Sequence, residues 1–381
     1  MKSQLALLLF TAIILFSCQN VEKKTLANNY EFVLQKSHRI EIDTMTSRIL
    51  EITGYDKHKN EFFLYNKLNH SIYFYSLDSN KQTKKIQLEA DGPNAIIEVR
   101  GIDNIAENRF IIFNGRKETF HEMLVKEDTV LFTRHTLQNG NDIETIPETN
   151  KGAKNSHLVG NTLYMVTRPL SALNNSNNFL IISYDFDTKE TKYLYEYPQD
   201  IVENQHNFRA GSKSVFFDDK IVVSFPFKKS IYTFSLVKNE VEEKELSSEK
   251  AQPYKILENP NQSHAVAIRN MFSQSEYKIF YYDPQSKTYL RHLFTGIRLP
   301  EDDAKIGFSI RYKDYKTINN DENYYVTLFA DESMNKIAFI NDYYLSENIF
   351  SSEEGVFLPN YKDENKNEDI IILNNYRIIK K

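Results

Sequence analysis

One short unit recurs along nearly the whole chain and limits what it can fold into. A strand is followed by a polar turn, a second strand with alternating aromatics, a charged turn and a third strand. The first copy is Phe62–Tyr65, Ser71–Leu77 and Lys84–Leu88; the second is Arg109–Phe113, Thr119–Val125 and Thr129–Thr133. The third is Thr162–Thr167, Phe179–Asp185 and Thr191–Tyr195; the fourth is Lys220–Phe225, Ser230–Leu236 and Val241–Leu246. His264–Arg269, Tyr277–Asp283 and Thr288–Leu293 make a fifth, and Tyr324–Phe329, Lys336–Asn341 and Tyr344–Phe350 a sixth. A partial seventh is Val356–Leu358 with Asp369–Ile379. The middle strands begin near 71, 119, 179, 230, 277, 336 and 369, mostly at the ~40–50-residue spacing of propeller blades. Ser230–Leu236 repeats Ser71–Leu77 at five of seven positions.

A fourth, inner strand per unit is available at Ile49–Thr53, Ile102–Ile105, Ser156–Val159, Val215–Phe217, Tyr254–Leu257 and Phe308–Tyr312. The seventh unit lacks an outer strand, and Phe32–Ile42 precedes the first with no partner. Pairing the two closes a ring and removes two sheet edges. The expected fold is therefore all-β: a β-propeller of four-stranded blades, seven by this count and six if the last two units merge, closed by an N-terminal strand. Ile143–Lys154 and Pro300–Lys305 read as loops or single turns.

The N-terminus reads as an address. Lys2 is followed by an apolar stretch from Leu5 to Phe16, too short for a spanning helix and of signal-peptide length. Leu15-Phe16-Ser17-Cys18 ends it, and Cys18 is the sole cysteine, so no internal disulfide exists. The expected layout is a signal in 1–17, a tether in 18–29 lipidated on Cys18, and one propeller domain over 30–381. Gln19 after the cysteine favours delivery to the outer membrane over retention at the inner one. Acidic residues outnumber basic ones, 52 to 47, which argues against a nucleic-acid partner bound through bulk charge.

Leu15–Cys18 resembles the lipobox of bacterial lipoproteins. Further stretches, Ala90-Asp91-Gly92-Pro93-Asn94-Ala95, Asn207-Phe208-Arg209, Ser224-Phe225-Pro226, Lys336–Asp342, Glu354-Gly355-Val356-Phe357 and Asn367-Glu368-Asp369, resemble exported bacterial propeller lipoproteins, and among them a family of unknown function. The resemblance implies a lipid-anchored envelope propeller and carries over no catalytic residue.

The sequence holds no phosphate loop, dinucleotide fingerprint, His-Glu-x-x-His or nucleophile elbow, so no catalytic residue, metal or cofactor is assigned. One constellation points to binding. Arg100, His157, His206 and Arg209 fall near inner-strand starts, and Arg168 and Arg269 at second-strand ends. Antiparallel neighbours bring those positions to one face, where guanidinium groups could hold a carboxylate, sulfate or phosphate. The expectation is a non-catalytic, lipid-anchored envelope propeller binding an anionic glycan or peptide, or another envelope protein. The alternative is an envelope hydrolase or lyase acting on a polysaccharide or lactone in the channel, which needs paired carboxylates or a metal cage.

Overall fold

Six antiparallel sheets follow one another along the chain. The computed structural model describes residues 30–42, 52–92, 95–114, 119–127, 129–137, 145–147, 155–169, 179–203, 211–217, 219–252, 273–296, 324–341, 345, 350–352, 354–360 and 369–380. Blade 1 is β2 (Thr53–Asp56), β3 (Glu61–Asn66), β4 (Ser71–Ser76) and β5 (Gln82–Gln87), paired in that order. Blade 2 is β6 (Val99–Ala106), β7 (Arg109–Asn114), β8 (Thr119–Val125) and β9 (Val130–Thr136). In blade 3, β12 (Thr162–Pro169) is followed outward by β13 (Phe179–Asp185) and β14 (Thr191–Glu196). Its inner edge is built in two pieces, β10 (Thr145–Pro147) against 167–169 and β11 (Ser156–Val159) against 162–165. A short helix α1 (Gln199–Glu203) follows. Blade 4 is β15 (Lys213–Phe217), β16 (Lys220–Ser224), β17 (Ser230–Ser235) and β18 (Glu240–Glu245). Blade 5 is β19 (Glu276–Asp283), β20 (Thr288–Phe294), β21 (Tyr325–Ala330) and β22 (Lys336–Asn341). Blade 6 joins β23 (Phe350–Ser352), β24 (Gly355–Pro359) and β25 (Ile370–Lys380) to β1 (Tyr30–Glu41), which pairs antiparallel with β25 from Tyr30↔Lys380 to Glu41↔Ile370.

Side chains that alternate along a strand face opposite neighbours, and here both faces are covered. In blade 1, Phe62, Leu64, Tyr73 and Tyr75 pack with Phe350, Phe357, Ile371 and Leu373 of blade 6. Phe63, Ile72 and Phe74 point the other way, onto Ile102, Phe110 and Ile112 of blade 2. The pattern repeats around the molecule in four further clusters, between blades 2 and 3, 3 and 4, 4 and 5, and 5 and 6. Each fully buried Phe or Leu in these layers contributes roughly 1.5–3 kcal/mol. That double burial explains why the strands read as near-continuous aromatic and aliphatic runs.

The two faces of the propeller differ. On one, the turns between first and second strands and between third and fourth strands are short. Asn60, Asn108 and Lys287 take positive φ just before second strands, and Asn80, Lys189, Asn239 and Met334 do so before fourth strands. Asp185 and Asp283 cap such turns by accepting backbone N–H bonds from Thr188 and Gln285. We call this the turn face. The opposite face, the loop face, receives the connections between blades and between second and third strands, including 197–212, 246–275 and 295–324.

The expectation of seven blades is corrected to six. Tyr277–Asp283 and Thr288–Leu293, read as part of a fifth unit, share one sheet with Tyr324–Phe329 and Lys336–Asn341, read as part of a sixth. Tyr277–Asp283 is an inner strand, not a middle one, and 295–324 joins two strands of one blade, so spacing alone placed a blade boundary there. Within Ile143–Lys154, read as a loop, lies strand β10. His264–Arg269, Tyr254–Leu257 and Phe308–Tyr312 lie outside the described residues, as do residues 1–17 and Cys18. Among the described residues, no helix is long and apolar enough to cross a membrane.

Candidate binding face

The two longest connections, 246–275 and 295–324, begin and end on the loop face at blades 4 and 5, and their described ends are pinned together. The Ser275 hydroxyl donates to Thr295 O at 2.8 Å and accepts from Gln252 N–H at 2.8 Å. Thr295 N–H donates to Tyr324 O at 2.9 Å, clamping both ends of the second connection. Gly296 has φ +83°, and a Cβ there would lie 2.6 Å from Ser273 O, so only glycine permits this approach.

Beside these ends sits Arg291, fully buried on β20. Its guanidinium meets a cage of neutral oxygens from blade 4. Nη1 donates to Lys229 O at 2.8 Å and Leu246 O at 2.5 Å. Nη2 donates to Lys228 O at 2.6 Å and Phe225 O at 3.3 Å, and Nε donates to Ser224 Oγ at 3.0 Å. The ring of Tyr277 lies 3.5 Å beneath the guanidinium carbon. Burial lowers the Arg291 pKa to about 10, which leaves it cationic at neutral pH. One side chain thus fixes turn 225–229 and the first residue of connection 246–275. Sequence reading passed over Arg291, Ser275 and Gly296. The signal for Arg291 was its place in Tyr289-Leu290-Arg291-His292-Leu293-Phe294, a run too apolar for a solvated charge.

Next along β20, His292 is also fully buried and faces the other way. Leu345 N–H donates to its Nε2 at 3.4 Å, so Nδ1 carries the proton toward Thr327 Oγ1 at 2.9 Å. Burial, with a smaller push from Lys278, lowers its pKa to about 3, so it is neutral at physiological pH.

The residues singled out from sequence are distributed unevenly. Arg100 stands at the loop-face start of β6, half exposed and ion-paired to Glu98 at 2.5 Å. The backbone of Arg168 pairs with Ile146 at the loop-face end of β12; its side chain lies outside the described residues. Arg209 and His206, in connection 197–212, and Arg269, in connection 246–275, lie outside them too. His157 departs from the expected grouping. It pairs with Tyr164, four residues and ~13 Å along the strand from Arg168. Its ring stacks on Phe216 of blade 4 at 5.8 Å. The physical reason is the split inner edge of blade 3, where β10 takes the loop-face half and leaves β11 the remainder. Near the axis, Asp103 of blade 2 accepts from Ser156 Oγ at 2.7 Å and Asn155 N–H at 3.0 Å. Among the described residues, no cluster of His, Cys, Asp and Glu could hold a metal ion.

Comparison with known proteins follows this geometry. No curated protein matches the chain. A solved structure of a DUF4221 family member from Bacteroides vulgatus superposes with a TM-score of 0.71 at 14% identity, covering 93% of this chain and 99% of that one. A protein from Bacteroides fragilis described as exported superposes with a TM-score of 0.55 at 11% identity, covering 93% and 97%. Residues 29–327 match the family described as domain of unknown function DUF4221. With the fold and most of the chain in agreement, this protein belongs to the DUF4221 family.

Proposed function

We propose that this chain is an exported binding propeller whose recognition surface is the loop face over blades 4 and 5. The observation that carries the reading is the pinning of the ends of its two longest connections. Two long connections start from ends held together by Ser275, Gly296 and the caged Arg291, while the opposite face carries short turns. Rigid strands that present long loops on one face form a common recognition architecture. The anionic ligand expected from sequence fits this face, since Arg168, Arg209, Arg269 and His206 all belong to its strand ends or connections, with Arg100 partly neutralised by Glu98. The test replaces residues 253–272 with a short Gly-Ser linker, and separately makes Arg209→Ala and Arg269→Ala, each checked for an unchanged circular-dichroism spectrum. A panel of acidic glycans and peptides is titrated. We expect the linker variant to lose binding and each Arg variant to weaken it about tenfold. Binding unchanged in all three, or no ligand from the panel bound by the wild type, overturns the reading.

Export is supported by the signal-like residues 1–17 and by the neighbour described as exported. Lipidation at Cys18 belongs to the same proposal. Labelled fatty acid should mark the wild type and leave Cys18→Ser unlabelled; equal labelling refutes the anchor.

A further inference from the structure

The turn face holds a groove between blades 1 and 2 that the binding reading does not use. It comprises two hollows of about 220 and 540 Å³ that share Lys59, Lys84 and Val125. The floor is apolar: Phe74 and Phe110 are buried and meet edge to face at 5.5 Å. The walls carry both signs of charge. Lys59, Lys84 and Lys126 supply ammonium groups; Asp56, Glu61 and Glu127 supply carboxylates. Among the described residues, these groups form no ion pair with one another. The Lys84 ammonium donates to Lys126 O at 3.2 Å, bridging the two blades. Opposite charges that share a groove yet stay apart leave room for a ligand carrying both. Asp56 is the buried member, 1% exposed, with Oδ1 accepting from His58 N–H at 3.0 Å. Burial lifts its carboxyl above the usual range, against the lowering influence of that backbone bond and of His58 and Lys59. An arriving cation would offset that burial cost.

We propose that this groove binds a small zwitterion, a free amino acid with an apolar side chain. The ligand carboxylate lies against Lys59 and Lys84, its ammonium faces Asp56 and Glu61, and its side chain covers Phe74 and Phe110. This site is on the opposite face from the one proposed above, and the two stand or fall separately.

The probe is L-phenylalanine, titrated by ligand-observed NMR into the mature chain, with phenylpropionate and phenethylamine as half-ligands. Asp56→Asn keeps the Oδ1 acceptor that caps the turn and removes the charge. Lys59→Ala removes an exposed cation that makes no latch. We expect millimolar binding of phenylalanine, at least about fivefold weaker binding of either half-ligand, and about fivefold loss in each variant. Melting temperatures close to wild type keep those losses attributable to the groove. Absence of phenylalanine binding to the wild type, equal binding of phenethylamine or phenylpropionate, or unchanged affinity in both variants overturns the proposal.

Discussion

Two arginines reach between neighbouring blades, and their charges are balanced in opposite ways. Arg291, between blades 4 and 5, meets carbonyls, one serine hydroxyl and the Tyr277 ring, with no carboxylate in its cage among the described residues. Arg109, between blades 2 and 3, gives Nε to Glu122 Oε1 at 2.6 Å and lies over the Phe186 ring at 4.3 Å. Glu122 Oε2 meets His135 Nε2 at 3.0 Å, and His135 Nδ1 meets Tyr184 OH at 3.2 Å. The first junction is a cation held by dipoles that do not titrate. The second is a chain of titratable groups. A carbonyl cage makes its junction indifferent to mild acid but unforgiving of truncation, because several backbone acceptors lose their partner together. The ionic chain tolerates single losses better and answers to pH.

The sharpest way to break this contrast is Arg291→Met. Deserting the carbonyls should cost on the order of 3–5 kcal/mol, read as a fall in the urea midpoint. Arg291→Lys should recover a minority of it, since an ammonium cannot span six acceptors. A loss below ~1 kcal/mol would show that the cage is incidental. Tyr fluorescence or circular dichroism must serve as the probe, because the chain has no Trp.

An acid scan separates the two kinds of buried group. His292 has a folded pKa of about 3, below its ordinary 6.5. Its neutral form belongs to the folded state, so the unfolded chain takes up a proton first as pH falls. Stability is therefore full above pH ~6.5 and declines from there toward pH 3, by on the order of 2 kcal/mol at pH 5. His292→Phe keeps a ring against Tyr325 and should be less stable at pH 7 but flatter between pH 6.5 and 4.5. An identical slope would place the titration elsewhere.

The smallest expected effect is at Glu122. Its pKa lies below the usual carboxylate value, chiefly through the His135 hydrogen bond, against burial, with Arg109 adding to the lowering. Its contribution is present above the unfolded carboxylate range and is lost as pH falls through the folded value. Glu122→Gln should cost about 1.5 kcal/mol at pH 7, leave the limb above pH 4.5 unchanged and flatten the one below it. If Glu122→Gln instead flattened the limb that His292 governs, the two titrating groups would not be independent.

The strand pattern was legible because a blade strand packs on both faces. Thr119–Val125 and Phe179–Asp185 match β8 and β13 residue for residue, and Ser156–Val159 matches β11. The turn chemistry was partly local: Asn60, Asn80, Asn108 and Asn239 stand where positive φ is required, whereas Lys189, Lys287 and Met334 carry no such mark. The candidate site was less so. Arginines near predicted loops drew attention, whereas Arg291, inside a strand, holds turn 225–230 and the start of connection 246–275.

What the sequence determined by itself is therefore periodic and local: the strands, their alternation and the polar turns between them. The tertiary structure decided the blade count, because a run buried on both faces looks alike as an inner or a middle strand. Only hydrogen-bonded pairing across 295–324 shows that Thr288–Phe294 and Tyr325–Ala330 are neighbours. It also decided the caging of Arg291, whose acceptors are carbonyls from residues 225–230 and 246, more than forty positions away. Backbone carbonyls are present at every residue and leave no mark in a sequence, so a charge balanced by them becomes visible only once the chain has folded around it.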